Sequence, residues 1–278
     1  MKTQRIPNIV IISDEHCGSQ FGLCPSRIKL DGGGVYQRSP LQKKLGQYWE
    51  IWWQDYVPML TKGEPYVVVN VGDTIDGRHH GATDQISQNL TDQVNIALEM
   101  LLPVISKAKG YYHLRGTEAH GGISGETEEE LAQQLHAIPD ELGNYSRWAL
   151  WMEMGEELIH FCHHIGVTQS QAYEGTALNK ELSEAWAEAG RHGDKPPTVI
   201  VRAHRHRQYQ ISLSGEYGMC LAIITPCWEL KTPFSYRLAL GRVGQPQIGG
   251  YVLRTGDEDK IYARYKVWRI EREKTVKI

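Results

Sequence analysis

The sequence predicts an α/β fold, because helices alternate with strands early in the chain and strands dominate late. Two β-branched runs, Asn8–Ile12 and Tyr66–Val71, break abruptly into polar, aspartate-containing turns, as buried strands of a mixed sheet do. Between them, apolar residues recur at spacings of three and four, which predicts a helix that packs an apolar stripe on the sheet. The stripe consists of Leu41, Leu45, Trp49, Trp52 and Tyr56.

The remaining elements are predicted from the same periodicities and from turn residues. Leu90 to Ser106 is predicted to be a second helix, and Gly110–Leu114 a short strand that ends in a charged loop. Further on, we predict a helix from about Thr176 to Ala189 and strands at Trp148–Met154, Leu158–Cys162, Thr198–Ala203, Tyr209–Leu213, Met219–Thr225 and Ile261–Ile270. The last strand is basic and is expected to form a solvated sheet edge.

The composition is that of an ordinary globular protein. The chain has 278 residues, 41% hydrophobic and 23% charged, and we expect one domain over residues 1–278. A formal net charge of −3 gives no overall attraction to nucleic acid or anionic membranes. The five cysteines form no Cys-x-x-Cys pair and are expected to be reduced. Without a secretory signal or a long apolar stretch, the protein is expected to be cytoplasmic, with no membrane partner.

Carboxylate and imidazole side chains cluster where the predicted strands end. Asp14-Glu15-His16 follows the first strand, Gly72-Asp73-Thr74-Ile75-Asp76-Gly77 follows the second, and His204-Arg205-His206 follows Thr198–Ala203. Residues i and i+2 at a strand end can both turn toward one point, so Asp-x-His and His-x-His supply ligands in pairs. Three such elements, each after a β-type run, predict a metal centre with nitrogen and oxygen ligands.

These elements resemble the motifs of calcineurin-like metallophosphoesterases. Ser13-Asp14-Glu15-His16 resembles the first motif of that family, Gly72-Asp73-Thr74-Ile75-Asp76 the second, and Ala203-His204-Arg205-His206 the last. Cys162-His163-His164 is similar to the fourth, with His163 the preferred ligand and His164 the alternative. The resemblance implies a four-layer sandwich of two mixed β-sheets flanked by α-helices, and an activity of phosphoester hydrolysis.

The third motif departs from the family pattern of Gly-Asn-His followed by an acid, in which Asn binds metal and His is the acid–base group. This chain has Gly116-Thr117-Glu118-Ala119-His120, which resembles the variant found in phage and prophage members. The resemblance implies that Glu118 replaces the Asn as an oxygen ligand and that His120 supplies the catalytic imidazole.

By the same resemblance, the metal ligands form two sets joined by one carboxylate. The first set is Asp14, His16 and His206, the second is Glu118, His163 and His204, and Asp73 bridges them. Two divalent transition metals, drawn from Mn, Fe, Zn, Co and Ni, would trap a bridging hydroxide and clamp the oxygens of an in-line phosphoryl displacement. Asp76, grouped with His120 as catalytic, would accept the ring N–H of a ligating histidine such as His16.

The substrate is the least determined feature. Arg78, His79 and His80 follow the second motif and can meet a substrate phosphate, as can Arg205 and His164, although solvated polar loops explain such residues nearly as well. We expect a phosphomonoester or a phosphodiester, with nucleotides and nucleic acids among the candidates. Two alternatives stay open: hydrolysis of a carboxyl ester or lactone on the same metals, and an inactive, metal-stabilised binding protein.

Overall fold

The computed structural model describes residues 6–79, 81–166, 171–215, 218–237, 244–256, 260–271 and 274–278. Its strands are β1 (Asn8–Ile12), β2 (Arg27–Lys29), β3 (Val35–Gln37), β4 (Tyr66–Asn70), β5 (Tyr111–Leu114), β6 (Ser146–Arg147), β7 (Ala149–Met154), β8 (Glu157–Cys162), β9 (Val199–Arg202), β10 (Tyr209–Gly215), β11 (Gly218–Ile224), β12 (Gln247–Thr255) and β13 (Ile261–Arg269). Its helices are α1 (Pro40–Ile51), α2 (Val57–Thr61), α3 (Leu90–Ile105), α4 (Glu118–Gly121), α5 (Glu126–Gln134), α6 (Glu174–His192) and α7 (Pro233–Arg237). A π-helical turn, Trp52–Tyr56, joins α1 to α2, and a 3₁₀ turn, Gln171–Tyr173, precedes α6.

In the part of the chain that the structure describes, the strands form two mixed sheets and one small hairpin. The first sheet has the order β13-β12-β1-β4-β5-β6. Strands β1, β4, β5 and β6 are parallel, β12 pairs antiparallel with β1, and β13 pairs antiparallel with β12. The second has the order β10-β11-β9-β8-β7, with parallel pairing along β8, β9 and β11. The third is the hairpin β2-β3, within the Gly-rich stretch after the first motif.

Among the described residues, three apolar clusters pack these sheets and helices into four layers. The cluster between the sheets joins side chains such as Val69 of β4 to Phe161 of β8. On the outer face of the first sheet, Leu45 of α1 packs with Val10 of β1. On the outer face of the second sheet, Leu178 of α6 belongs to a third cluster. Strands covered on both faces need continuous apolar runs, and all five residues of β1 are accordingly buried. The four-layer sandwich expected from the sequence is confirmed.

The first helix begins with a capping box and carries the first three residues of the predicted stripe, while Trp52 and Tyr56 lie in the π-helical turn that follows. The Ser39 hydroxyl accepts a hydrogen bond from the backbone N–H of Gln42, and the Gln42 side chain accepts one from the backbone N–H of Ser39. Leu45 and Trp52 of the stripe are fully buried, whereas Leu41 is exposed and lies outside the core. Among the described residues, no helix is both long enough and apolar enough to cross a bilayer.

Strand β12 is an inner strand of the first sheet, between β13 and β1, yet it was not predicted from the sequence. Glycines at its middle weaken the strand pattern. A Cβ on Gly250 would lie 2.7 Å from the Trp52 ring, so glycine is needed for this ring to reach the sheet. Within the described residues, the basic strand β13 pairs with β12 alone and is the edge strand that the sequence predicted.

Candidate metal centre

The candidate site lies at the carboxyl ends of parallel strands from both sheets. Asp14 and Asp73 come shortly after β1 and β4 of the first sheet, and His163 and His204 come shortly after β8 and β9 of the second. Ligands of α/β proteins commonly bind outside the carboxyl ends of the strands. Asp73 Oδ2 is 3.0 Å from His163 Nε2, so the two sheets present donor atoms to one point.

The backbone at this point is held in an uncommon conformation. Seven non-glycine residues in the described part of the chain have a positive φ, and five of these are metal-ligand candidates. The five are Asp14, His16, Asp73, His204 and His206, with φ between 44° and 71°. Each such residue costs about 1–3 kcal/mol of strain, which persists at functional sites because the surrounding structure imposes it.

The first donor set consists of Asp14, His16 and His206. His16 Nε2 is 3.1 Å from His206 Nε2, which is 3.4 Å from Asp14 Oδ1. Donors that bind one cation at about 2.1 Å lie about 3.0–3.4 Å apart when their angle at the cation is between square and tetrahedral. The observed separations therefore fit a single transition-metal ion.

The second set meets at Asp73. His163 Nδ1 donates to the backbone carbonyl of Val71 at 2.6 Å, which leaves Nε2 facing the Asp73 carboxylate. His204 Nδ1 is 3.8 Å from the same carboxylate oxygen. His164 is exposed, and its ring centroid is 5.2 Å from that of His163. The structure thus brings His163 rather than His164 to the donors.

The third-motif loop packs directly on Asp73. The backbone N–H and the hydroxyl of Thr117 donate to Asp73 Oδ1 at 2.7 and 3.1 Å. This contact requires glycine at position 116, because a Cβ on Gly116 would lie 2.0 Å from the same oxygen. Glu118 is exposed at the first position of α4. Within the described residues, it joins none of the groups whose donor atoms lie within 4.8 Å of one another.

His120 lies among the donors in a defined orientation. Its Nδ1 donates to the backbone carbonyl of Asp76 at 2.5 Å, and its Nε2 is 3.9 Å from Asp73 Oδ2. Burial lowers the pKa of His120 to about 4, so the imidazole is neutral near pH 7 and carries a lone pair on Nε2. This arrangement suits a metal ligand as well as an acid–base group.

The Asp76 carboxylate contacts three neighbours. Oδ1 is 3.6 Å from His16 Nδ1 and 3.3 Å from His79 Nε2, and Oδ2 accepts a hydrogen bond from the Gln85 side chain at 2.7 Å. Burial alone would raise the pKa of Asp76, but the His16 and His79 contacts outweigh burial and hold the pKa well below its usual range. Asp76 is therefore ionised and within reach of the ring nitrogen of His16 that faces away from the donors.

The cluster holds more buried carboxylate charge than its histidines would neutralise at their ordinary pKa values. Burial acts to lower the pKa of His16, yet Glu229 and Asp76 raise it to about 9. Burial likewise acts against protonation of His163, but the Asp73 charge raises its pKa to about 10. Protons are thus held where divalent cations would supply the same positive charge, and metal binding would release them.

The substrate candidates lie at different distances from this cluster. Arg78 is exposed, and its Nε donates to the backbone carbonyl of Gln88 at 2.5 Å. His79 is half-buried at the border of the donor cluster. Both terminal nitrogens of Arg205 are buried without a hydrogen-bond partner in the described part of the chain, and Glu174 and Glu181 are the charges near its guanidinium. His80 lies outside the described residues.

Sequence reasoning missed three residues of the site. Glu229 stands beside two ligand-candidate histidines, and its position shortly after β11 is the same strand-end signal that marked the others. Thr117 belongs to the third motif but was assigned no role, and its hydroxyl contacts Asp73. Glu128, which is fully buried, accepts hydrogen bonds from the backbone N–H of Gly116 at 2.5 Å and of Thr74 at 3.4 Å. It reaches the site by the packing of α5, for which no local signal exists.

Comparison with known proteins gives only distant structural likeness. No protein-family model matches the chain, and no curated protein matches it. A conserved Streptococcus pneumoniae protein, described as a predicted phosphoesterase, is 10% identical over 94% of this chain and 98% of that chain, with a TM-score of 0.36. Vps29 of Chaetomium thermophilum is 11% identical over 95% of this chain and 97% of that chain, with a TM-score of 0.42. A metallophosphoesterase of Sphaerobacter thermophilus is 11% identical over 95% of this chain and 89% of that chain, with a TM-score of 0.40. At these identities and TM-scores no residue role or activity carries over to this chain. A proposed function therefore has to rest on the donor geometry of the chain itself.

Proposed function

We propose that the protein is a metal-dependent phosphoester hydrolase with a dinuclear metal centre. The observation that carries the proposal is the convergence of five ligand-type residues in left-handed backbone conformation on one point between the two sheets. Their nitrogen and oxygen donors suit Mn, Fe, Zn, Co or Ni. Strained backbone at all five positions is hard to explain by packing alone, because ordinary turns there would relieve the strain.

Asp73 is the proposed bridge between the two cations. It shares one donor group with His163 and His204 and another with His16 and His120, which supports a position between the two metals. Two cations about 3.5–4 Å apart would lower the pKa of a bound water and neutralise charge on the phosphate oxygens. Hydrogen bonds from Thr117 would fix the orientation of the Asp73 carboxylate, since its backbone and hydroxyl both donate to Oδ1.

The roles of metal ligand and proton donor can be assigned to Glu118 and His120 of the third motif in two ways. The sequence favours Glu118 as the ligand and His120 as the proton donor. The positions favour His120 as the ligand, because its donor atom lies within 4.8 Å of those of Asp73 and His16, whereas Glu118 joins no such group among the described residues. Burial also lowers the pKa of His120 to about 4, so its imidazole is unprotonated at neutral pH and has no proton to donate from Nε2. We therefore propose His120 as a donor of the second set.

The proposed substrate is a phosphomonoester or phosphodiester, and nucleotides are among the candidates. The polar border of the site supports an anionic ester over a carboxyl ester or lactone, which would call for an apolar pocket. His164 and His204 are exposed there, and His79 is half-buried. Two nearly complete donor sets also support turnover rather than metal-stabilised binding alone.

Metal analysis combined with a substrate screen tests the proposal. Protein purified without chelator should contain up to two transition metals per chain, and its hydrolysis of a generic phosphomonoester or phosphodiester should be lost in EDTA and restored by Mn²⁺. A carboxyl ester run beside them tests the alternative chemistry. Full turnover by thoroughly metal-free protein would contradict the mechanism.

Paired substitutions of the second motif test the bridge. Asp73→Asn should lose metal and activity, because it removes the charge shared by both cations. Asp76→Asn should act only through the orientation of His16 and cost about 10–100-fold in affinity or rate. The two carboxylates are 1% and 6% exposed, which makes them matched controls for each other. Equal effects, or none, would show that Asp73 is not the bridge.

A further inference from the structure

Three histidines of the cluster share one arrangement, in which Nδ1 faces an oxygen acceptor and Nε2 faces the donors. His163 Nδ1 donates to the carbonyl of Val71 at 2.6 Å, and His120 Nδ1 donates to the carbonyl of Asp76 at 2.5 Å. His16 Nδ1 is 3.6 Å from the Asp76 carboxylate. An acceptor at one ring nitrogen fixes the tautomer and leaves the lone pair of the other nitrogen for a metal.

Glu229 can complete the same pattern for His206, beside which the buried side chain of Cys227 also lies. His206 Nε2 faces Asp14 and His16, and its Nδ1 is 3.7 Å from Glu229 Oε2. We propose that Glu229 is a positioning residue that accepts the N–H of His206 Nδ1 and so directs Nε2 toward the first cation. The inference rests on the proposed metal centre. At 3.7 Å the pair lies about 0.5 Å beyond hydrogen-bond distance, like the 3.6 Å pair of His16 and Asp76, so the proposed bond needs a small approach of the two side chains.

The backbone on both sides of Glu229 is fixed to the loop that follows β1. Trp228 donates its N–H to the Asp14 carbonyl at 2.9 Å, and Leu230 donates its N–H to the Phe21 carbonyl at 2.9 Å. Glu229 itself is 5% exposed, so its carboxylate cannot swing into solvent. A buried carboxylate is costly unless it is paired, and His206 and His16 are the imidazoles in ion-pair contact with it.

The distances support positioning rather than direct ligation. Glu229 Oε2 is 3.9 Å from His16 Nε2, whereas Asp14 Oδ1 and His206 Nε2 are 3.4 Å apart. Neighbouring donors of one cation lie about 3.0–3.4 Å apart. Glu229 Oε2 is therefore farther from the first donor set than the members of that set are from one another, and at 3.7 Å it is closer to the rear nitrogen of His206.

Metal titration of two Glu229 variants tests the inference. Glu229→Ala removes the acceptor, and Glu229→Gln keeps an acceptor oxygen without the charge. We expect Glu229→Ala to weaken one of the two Co²⁺ equivalents about 10–100-fold in calorimetry, with a changed visible absorption spectrum for that equivalent only. Glu229→Gln should recover most of the affinity and the wild-type spectrum. Glu157, which is 6% exposed and paired with Lys260 at 3.2 Å, provides the control Glu157→Ala, for which Co²⁺ binding should be unchanged.

The outcomes separate this inference from the proposed function. Two Co²⁺ equivalents in the wild-type protein support the metal centre whatever the variants do, and none would contradict it. With the wild-type sites present, unchanged affinity and spectrum in Glu229→Ala would overturn the role of Glu229. Loss of one whole equivalent in both Glu229 variants would also overturn it, because that result identifies a ligand rather than a positioning residue.

Discussion

Substituting alanine for Gly116 should damage the metal centre without altering any candidate ligand. Gly116 lies where the third-motif loop crosses the Asp73 loop, and its φ is not in the left-handed region. The backbone of position 116 therefore tolerates alanine, and only space opposes the new methyl group. The substitution isolates the effect of loop spacing from that of donor chemistry.

The expected magnitude follows from the space at this crossing. A Cβ on Gly116 would lie 2.0 Å from Asp73 Oδ1 and 2.3 Å from Asp73 N, so one loop has to move by about 1 Å to reach even a tight 3.0 Å contact. Neither loop moves freely, because Thr117 N–H binds Asp73 at 2.7 Å and Gly116 N–H binds Glu128 at 2.5 Å. Overpacking of this kind costs about 1–3 kcal/mol of stability. A displacement of about 1 Å at a reacting centre costs about 100-fold in rate.

Urea unfolding measures the loss of stability, and Mn²⁺ titration together with the rate of phosphoester hydrolysis measures the damage to the metal centre. The matched control is Gly190→Ala in α6, where no atom lies within 4 Å of the added Cβ. A helical Gly→Ala change of this type should stabilise by about 0.5–1 kcal/mol and leave metal binding unchanged. If Gly116→Ala binds Mn²⁺ and unfolds like the wild-type protein, the proposed close packing of these two loops is wrong.

The remaining predictions concern the third motif and a buried histidine. If His120 is a ligand, His120→Ala should lose metal and Glu118→Ala should not. If Glu118 is the ligand and His120 the proton donor, Glu118→Ala should lose metal. His120→Ala should then keep both cations and slow turnover by about 10²–10⁴-fold, most with poor leaving groups. Metal content and a leaving-group series on both variants distinguish these results. Burial lowers the pKa of His113 from 6.5 to about 3, so below pH 6.5 the unfolded chain binds a proton that the folded chain does not. Metal-free protein should lose up to about 1.4 kcal/mol of stability per pH unit from this group as the pH falls from 6.5 toward 3. His113→Gln should lack that contribution in urea unfolding, and identical pH slopes would refute it.

The fold class was predictable because its signals are local. Buried strands of a mixed sheet need apolar runs on both faces, and strand β1 was predicted with its observed bounds, Asn8–Ile12. Strand β12 was missed for the opposite reason. Its glycines are selected by the approach of Trp52 and of the neighbouring strand, which are contacts with distant parts of the chain.

The sequence by itself determined where chemistry-bearing residues leave the strands. Asp-x-His and His-x-His at strand ends are short-range patterns, and the left-handed backbone at Asp14, His16, His204 and His206 is the local conformation that turns each pair to one side. His16 of the first pair and His206 of the last are 190 residues apart in the sequence, yet their ring nitrogens are 3.1 Å apart. Local propensity carries no information about such a contact.

Only the tertiary structure decided which neighbouring side chain enters the cluster. His163 is buried beside Asp73 while the adjacent His164 is exposed, because the carbonyl of Val71 in the first sheet accepts the Nδ1 hydrogen of His163. Glu118 is turned outward and His120 inward by the single helical turn of α4. Glu229 reaches the histidines through the backbone contacts of its segment with the loop after β1. In each case the packing of two sheets, rather than the residue type, fixes the direction of the side chain.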